Sequence, residues 1–180
     1  MKIRLEEPAD RDASLEVERL AFGSDEEPSI VEAVRDEEGS FALVAQEAGE
    51  VVGHVQLSRA WVGETPVLGL GPIGVVPERQ RRGTGSALMR AALEEARARG
   101  EVAVILFGDP AFYGRFGFEP GLTFGLHNPY AGMSLPDGTR VVEENLMLAP
   151  LDDRVRSLSG EVRWHPALAN PPVEAPGGDA

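Results

Sequence analysis

Residues 73–100 read IGVVPERQRRGTGSALMRAALEEARARG, and this stretch decides the fold. A short apolar run ends at Pro77, and an arginine-rich loop follows it. Gly83-Thr84-Gly85 then opens into an uninterrupted helical pattern that Gly100 closes. This order predicts a strand, a glycine loop and a helix.

The loop has the chemistry of an anion-binding site. The first backbone N–H groups of a helix have no partner inside the helix, and the peptide dipoles make that end partly positive. Gly83 and Gly85 lack a Cβ, so the backbone can approach an anion closely, while Arg81 and Arg82 bring charge and forked donors. We predict that the loop binds a pyrophosphate.

Two other families of glycine loop do not fit the sequence. The phosphate loop of nucleotide hydrolases ends in Gly-Lys-Ser/Thr, and the chain's only lysine is Lys2. A dinucleotide-binding fingerprint needs a third glycine where this chain has Leu88.

Residues 80–85, QRRGTG, resemble the Q/R-x-x-G-x-G/A loop of the GNAT superfamily of N-acetyltransferases, which in that family holds the pyrophosphate of acetyl-coenzyme A. Val75-Val76-Pro77 matches the family's V-x-P strand end. Residues 108–118, GDPAFYGRFGF, match the G-D-P-x-x-Y-x-R-F-G-F segment of a bacterial branch. The resemblance covers Ile3 to about Leu148.

The resemblance implies an α+β fold with α/β/α layers. Its central sheet would be mixed but mostly antiparallel, with about seven strands, splayed between strands 4 and 5 and flanked by about four helices. The pantetheine arm of the cofactor would enter between the diverging strands. The fourth strand, Val67 to Val76, fits this expectation because three glycines and a proline interrupt it, which favours a bulged or splayed strand.

Before the fourth strand, the residues predict a strand over Lys2–Leu5, a helix over Ala9–Phe22, a helix started by a Ser29/Glu32 capping box, and a hairpin of Phe41–Gln46 and Val51–Leu57. The first of these helices is indicated by the helical spacing of Ala9, Ala13, Val17 and Leu20. After the fourth strand, the residues predict a helix over Thr84–Arg99, a strand over Val102–Phe107, a short helix from Asp109 that contains Tyr113, and strands over Leu122–Leu126, Glu144–Ala149 and Ser159–Trp164.

The family's functional residues carry over onto matching positions. The resemblance implies acetyl-coenzyme A as co-substrate and Tyr113 as the catalytic residue. It implies no metal. The implied cofactor-binding residues are Ile73, Gly74, Val75, Arg81, Arg82, Gly83, Thr84, Gly85 and Ser86.

The expected reaction is direct attack of an amine on the thioester in a ternary complex, because the chain has no cysteine to form an acyl-enzyme. A backbone N–H near Val75 would hold the oxyanion. Tyr113 would protonate the leaving thiolate, since phenol and thiol pKa values are about 10 and about 8.5.

The sequence does not identify the residue that acts as general base. No glutamate lies between Val67 and Val76, where the family often has one. His54 is a candidate, although a histidine on an apolar strand is more often a hydrogen-bonded core residue. The remaining candidates are loop carboxylates and unplaced histidines: Glu26, Glu27, Glu64, His127 and His165.

Composition limits the partners. The chain has 180 residues, 42% of them hydrophobic, and a formal net charge of −13, which argues against nucleic acid or an anionic membrane as a partner. We expect one domain over residues 1–169, a disordered tail over 170–180 and a cytoplasmic location, with a homodimer left open. The acceptor would be a small-molecule amine or a protein amino group, drawn by an acidic surface that includes Glu26 and Glu27.

The sequence is compatible with three classes of function to different degrees. An N-acetyltransferase fits best. A non-catalytic acyl-coenzyme A binding or regulatory module would use the same loop, but it gives Tyr113 no role. A serine hydrolase is disfavoured because the chain has no G-x-S-x-G nucleophile elbow.

Overall fold

The computed structural model describes residues 1–135 and 138–168. Within these residues it has four α-helices: α1 Arg11–Phe22, α2 Glu26–Val34, α3 Thr84–Ala98 and α4 Pro110–Tyr113. The strands of the same described residues are β1 Lys2–Leu5, β2 Phe41–Glu47, β3 Glu50–Val62, β4 Thr65–Val75, β5 Ala103–Phe107, β6 Glu119–Pro120, β7 Leu146–Pro150 and β8 Val162–Arg163.

The strands of the described residues form one mixed sheet in the order β1-β2-β3-β4-β5-β7-β6, with β8 paired to β3. β4 and β5 are parallel, whereas the pairs β1/β2, β2/β3, β5/β7, β6/β7 and β3/β8 are antiparallel. The predicted α+β class with a mostly antiparallel sheet is therefore confirmed.

The ladder between β4 and β5 is short. Only two residue pairs are in register, Leu68 with Val104 and Gly69 with Ile105, while β4 continues to Val75. This agrees with the splay expected between the fourth and fifth strands.

The chain divides into two compact units. The first comprises Met1–Ser58 and Leu70–Glu95. Its core is mostly aliphatic and includes Val17, Val31, Val34, Val44, Val55, Leu88, Met89 and Ala92. The expected single domain over residues 1–169 stays a prediction.

The second unit comprises Arg59–Gly69 and, among the described residues, most of 96–168. Its core includes Ala60, Val62, Val67, Ile105, Leu126, Leu146, Leu148 and Val162. The expected tail over 170–180 lies outside the described residues.

Helix α1 buries a face that the sequence pattern did not predict. Leu20 is 48% exposed, and the fully or nearly fully buried side chains are Ser14, Val17, Glu18 and Ala21. The first unit thus buries a carboxylate where an amphipathic helix would ordinarily bury an aliphatic residue. Gly23 ends the helix as predicted, with φ of 71° and its N–H bonded to Arg19 O.

One predicted helix start and one predicted strand are wrong. α2 begins at Glu26, so Ser29 lies inside the helix, where its Oγ donates to Asp25 O at 2.7 Å instead of capping the first turn. Leu122–Leu126 is not a strand, because Gly121–Phe124 forms a 3-10 turn that Gly125 closes with φ of 73°. The short sixth strand is Glu119–Pro120.

Across residues 1–135 and 138–168, none of the helices has both the length and the apolar character needed to cross a membrane.

Candidate active site

The end of β4 leads into the loop. Pro72 and Gly74 are buried, whereas Ile73 and Val75 remain partly exposed. Branched aliphatic residues in a central strand are usually fully buried. The strand end is held by a hydrogen bond from Val76 N to Val52 O at 3.0 Å.

Side chains anchor the loop to the sheet. Gln80 Nε2 donates to Val75 O at 3.0 Å, and Arg79 Nε lies 2.5 Å from Glu47 Oε2. One contact ties the loop to the end of β4 and the other ties it to β2. These two contacts therefore fix the position of residues 79 and 80, from which the segment leading to α3 begins.

The backbone dihedral angle φ alternates in sign along the loop. Arg81 has φ of 57° and Gly83 has φ of 85°, while Arg82 between them is not in the positive region. A positive φ is uncommon for a residue with a Cβ. Alternating left- and right-handed residues turn consecutive N–H groups toward one point, which is the geometry of an anion-binding nest.

The start of α3 sits directly on β3. Thr84 is 5% exposed, and a Cβ placed on Gly53 would lie 3.0 Å from Leu88 Cδ1 and 3.2 Å from Thr84 Cγ2. Gly53 therefore permits the close approach. Gly83 O accepts the helical bond from Ala87 N at 3.0 Å, so the N–H groups of residues 84–86 belong to the open first turn.

The guanidinium groups of Arg81 and Arg82 are exposed, and neither has a hydrogen-bond or ion-pair partner among the described residues. The chain carries 30 acidic residues against 17 basic ones, and within the described residues other exposed arginines, such as Arg19 and Arg154, form ion pairs. Two unpaired arginines beside a helix N-terminus are a suitable partner for an anion.

Tyr113 lies in the second unit, at the end of α4. Asp109 caps this helix, since its Oδ1 accepts from Ala111 N at 2.9 Å. The Tyr113 ring makes edge contacts with Phe112 and Phe118 at centroid distances of 4.8 and 5.9 Å. Gly108 lies against the ring, because a Cβ there would be 2.7 Å from Tyr113 Cδ2 and would overlap Cε2.

Asn145 holds the turn before α4 and was not predicted as a site residue. Its Nδ2 donates to Gly108 O at 3.2 Å, its backbone O accepts from Gly108 N at 2.9 Å, and its Oδ1 accepts from Val142 N at 2.9 Å. Asn145 thus fixes the glycine that packs on Tyr113. The only signal in the sequence is an asparagine beside the apolar run of the seventh strand.

Glu18 and His54 form a buried pair in the first unit. Both side chains have 0% exposure, and His54 Nδ1 lies 2.6 Å from Glu18 Oε1. Burial raises the pKa of the Glu18 carboxyl, which His54 and the nearby Gly74 amide only partly offset, while Glu27 adds to the rise. A Cβ on Gly74 would lie 2.5 Å from Glu18 Oε2, so Gly74 makes room for the carboxylate.

The other candidate bases occupy dissimilar places. Glu27 is buried and accepts from Ser24 Oγ at 2.5 Å. Glu26 and Glu64 are exposed. His127 is exposed beside Glu143, at 3.6 Å, and His165 Nδ1 faces Ala167 N at 3.2 Å.

The first unit therefore contains the strand end Ile73–Val75, the loop and helix start 81–86, and the Glu18–His54 pair. Tyr113 and Asn145 belong to the second unit. Sequence reasoning missed Glu18, because nothing in the pattern of α1 distinguishes this glutamate from the exposed acidic residues of the same helix.

The family follows from a comparison of the sequence with known domains. Residues 2–121 match the domain family described as acetyltransferase (GNAT) domain. The chain belongs to the GNAT acetyltransferases, which makes it an acyltransferase of this family.

Named relatives and solved structures agree. The chain is 37% identical to the N-acetyltransferase YjhQ of Escherichia coli over 58% of this chain and 62% of that protein. It is 31% identical to the N-acetyltransferase YhbS of Escherichia coli over 92% of this chain and 96% of that one.

The crystal structure of YhbS from Escherichia coli in complex with CoA has a TM-score of 0.83, with 27% identity over 97% of this chain and 94% of that chain. A GNAT acetyltransferase from Brucella melitensis in complex with acetyl-CoA has a TM-score of 0.70, with 28% identity over 92% of this chain and 96% of that chain.

Proposed function

We propose that the protein transfers the acetyl group of acetyl-coenzyme A to an amine by direct attack in a ternary complex. The observation that carries this proposal is the nest-like loop at the N-terminus of α3, with two unpaired arginines beside it. The complexes of similar proteins with CoA and acetyl-CoA support it. In this proposal, residues 1–169 form one catalytic domain, and the protein acts in the cytoplasm.

The pyrophosphate would be bound by the backbone N–H groups of residues 83–86 and by Arg81 and Arg82. Such a site combines donors that the helix leaves free with a partial positive charge. The pantetheine arm would lie along β4 and cover Ile73 and Val75, which explains why these two side chains are left partly exposed. Gly74 belongs to the same strand segment.

The chemical step needs an oxyanion donor and an acid. A backbone N–H near Val75 would stabilise the tetrahedral oxyanion, and such donors typically account for about 10²–10³ in kcat. Tyr113 would give its proton to the departing thiolate. The support for this role is its match to the family's tyrosine and its fixed ring, which Gly108 and Phe118 hold in place.

The acceptor would be an amine, carried by a small molecule or a protein, and a cationic one would be favoured by the net charge of −13. The expected acidic surface is smaller than the sequence suggested. Glu26 faces solvent, but Glu27 is buried and bonded to Ser24.

Thermal melting with acetyl-coenzyme A tests the binding half of the proposal. A ligand that binds only the folded chain stabilises it by about 2.7 kcal/mol at a concentration of 100 Kd, so the midpoint should rise. Acetyl-pantetheine, which lacks the pyrophosphate, should raise the midpoint far less. An unchanged midpoint with acetyl-coenzyme A at millimolar concentration would contradict the proposal.

The alternative is a module that binds an acyl-coenzyme A without turnover. The same melting result would be obtained for such a module. Release of thiol that depends on an added amine distinguishes the two, because a binding module releases none.

A further inference from the structure

The first unit contains a buried charged cluster that the proposed reaction does not use. Its members are Glu6, Glu18, Arg35 and His54, from β1, α1, α2 and β3 or the residues that follow these elements. Glu18 and His54 have no exposed surface, and the side chains of Arg35 and Glu6 are 7% and 9% exposed. Removing this many ionisable groups from water is costly.

The cluster is also poorly satisfied. Of the eleven buried side-chain polar atoms without a hydrogen-bond partner in the described residues, five belong to it: Glu6 Oε1, Glu18 Oε2, Arg35 Nε, Arg35 Nη2 and His54 Nε2. Unsatisfied buried polar groups are few in folded proteins and concentrate where they have a function or hold water. A purely structural network would be expected to satisfy its members.

A short hydrogen bond joins Glu18 and His54. Their contact of 2.6 Å requires a hydrogen between Oε1 and Nδ1, whichever atom carries it. His54 Nε2 faces Glu6 Oε1 at 3.8 Å, and Arg35 Nη2 lies 3.9 Å from the same oxygen. Glu6 therefore lies between His54 and Arg35.

The second carboxylate oxygen points at the strand proposed to bind the acetyl group. Glu18 Oε2 makes no hydrogen bond of good geometry within the described residues, although the Gly74 amide is close enough to the carboxylate to lower its pKa, and Oε2 lies where a side chain at position 74 would be. Gly74 precedes Val75, whose backbone is proposed to hold the oxyanion. A carboxylate oxygen is therefore next to the proposed reaction centre, within the same unit.

We propose that Glu18 accepts the proton that the acceptor amine loses, and that His54 positions Glu18 and balances its charge. This inference rests on the proposed acetyl transfer. The amine nitrogen forms a bond to the thioester carbon, the tetrahedral intermediate expels the coenzyme A thiolate, and one N–H proton passes to Glu18 Oε2. An amine cannot touch a carboxylate that has no exposed surface, so the proposed step includes one water that relays this proton.

The pH dependence of kcat/KM should follow the ionisation of the Glu18 carboxyl. The groups that face it are His54 on β3, Glu27 on α2, and Glu6 and Arg35 through His54. Burial places its pKa above the ordinary 4.5. The acid limb of kcat/KM should therefore lie above the usual carboxylate range, since only the ionised form accepts a proton.

Glu18→Gln is the decisive variant, because glutamine can still donate to His54 Nδ1 but cannot take a proton. Turnover of spermidine, kanamycin or an alanine-initiated peptide, whichever the wild type acetylates, should fall about a hundredfold to ten-thousandfold, the usual contribution of general acid–base catalysis. The acid limb should disappear, while stabilisation by acetyl-coenzyme A should persist. Glu16→Gln is the control, since Glu16 is exposed on the same helix and its ion pair in the described part of the chain is with Arg19.

Stability separates this role from a structural one. Well below pH 4.5 the carboxyl is neutral in both folded and unfolded chains, so its ionisation does not affect stability there. As pH rises toward the raised folded pKa, the unfolded chain ionises first and wild-type stability falls. Glu18→Gln does not titrate, so its melting midpoint should equal the wild type's at low pH and exceed it increasingly above pH 4.5. His54→Gln should instead lower the midpoint at neutral pH, because it leaves a buried carboxylate without its partner.

Two results would overturn the proposal: turnover of Glu18→Gln within about threefold of the wild type, or loss of its cooperative unfolding transition, which would make Glu18 a structural residue. Failure of the wild type to bind acetyl-coenzyme A or to acetylate any amine would instead refute the proposed function itself.

Discussion

Replacement of Gly108 by alanine tests the role of Tyr113 without changing the tyrosine. A Cβ on Gly108 would lie 2.7 Å from Tyr113 Cδ2 and 3.2 Å from Cζ, and would overlap Cε2. Nonbonded carbons prefer about 3.5–4.0 Å, so the ring must move by about 1 Å. A misplacement of that size in a catalytic group can cost about 10² in rate.

The effect on stability should be small by comparison. Overpacking usually costs about 1–3 kcal/mol, and replacing glycine by alanine returns about 0.4–1 kcal/mol through the unfolded chain. For a chain of 180 residues, each kcal/mol corresponds to about 2–4 °C in Tm. We therefore expect a midpoint lowered by a few degrees and a kcat lowered about a hundredfold.

The assay is thiol release at saturating acetyl-coenzyme A, measured with the melting midpoint on the same sample. Gly114→Ala is the control, because a Cβ there meets no heavy atom within 4 Å and the backbone is already helical. In a Tyr113→Phe background, Gly108→Ala should cost little further activity, since the hydroxyl that it displaces is gone. A wild-type kcat for Gly108→Ala would refute the reasoning.

Two further predictions concern single side chains. Tyr113→Phe should lower kcat about a hundredfold to ten-thousandfold while acetyl-coenzyme A still binds, because the ring and its contacts with Phe112 and Phe118 remain; a kcat within about twofold of the wild type would remove Tyr113 from the mechanism. Arg82→Ala should weaken acetyl-coenzyme A binding more at low than at high salt, as measured by calorimetric titration, whereas Arg97→Ala on the exposed side of α3 should not; equal loss at all salt concentrations would contradict charge pairing with phosphate.

The local features of the fold could be predicted from the sequence. The strand, glycine loop and helix over residues 73–100, the β2–β3 hairpin and the Asp109 cap of α4 depend on short-range signals such as glycine, proline and apolar spacing. The same glycines and arginines form the family's motif, so the proposed cofactor loop could be predicted together with the local fold.

Features set by distant contacts could not be predicted. Glu18 is buried because His54 on another element and the missing side chain of Gly74 make room for it, and neither is near it in sequence. Asn145 gains its role only when β7 pairs with β5 and brings it to Gly108. Leu122–Leu126 has the composition of a strand, but the flanking glycines form a tight turn instead.

The most direct test of the account is mass spectrometry of amines incubated with the wild-type protein and acetyl-coenzyme A, with free thiol measured in parallel. The panel should include polyamines, aminoglycosides, amino acids and peptides. The account predicts at least one acetylated amine, formed in an amount equal to the thiol released and absent without protein. Binding of acetyl-coenzyme A with no amine acetylated across the panel would contradict it and favour a non-catalytic acyl-coenzyme A module.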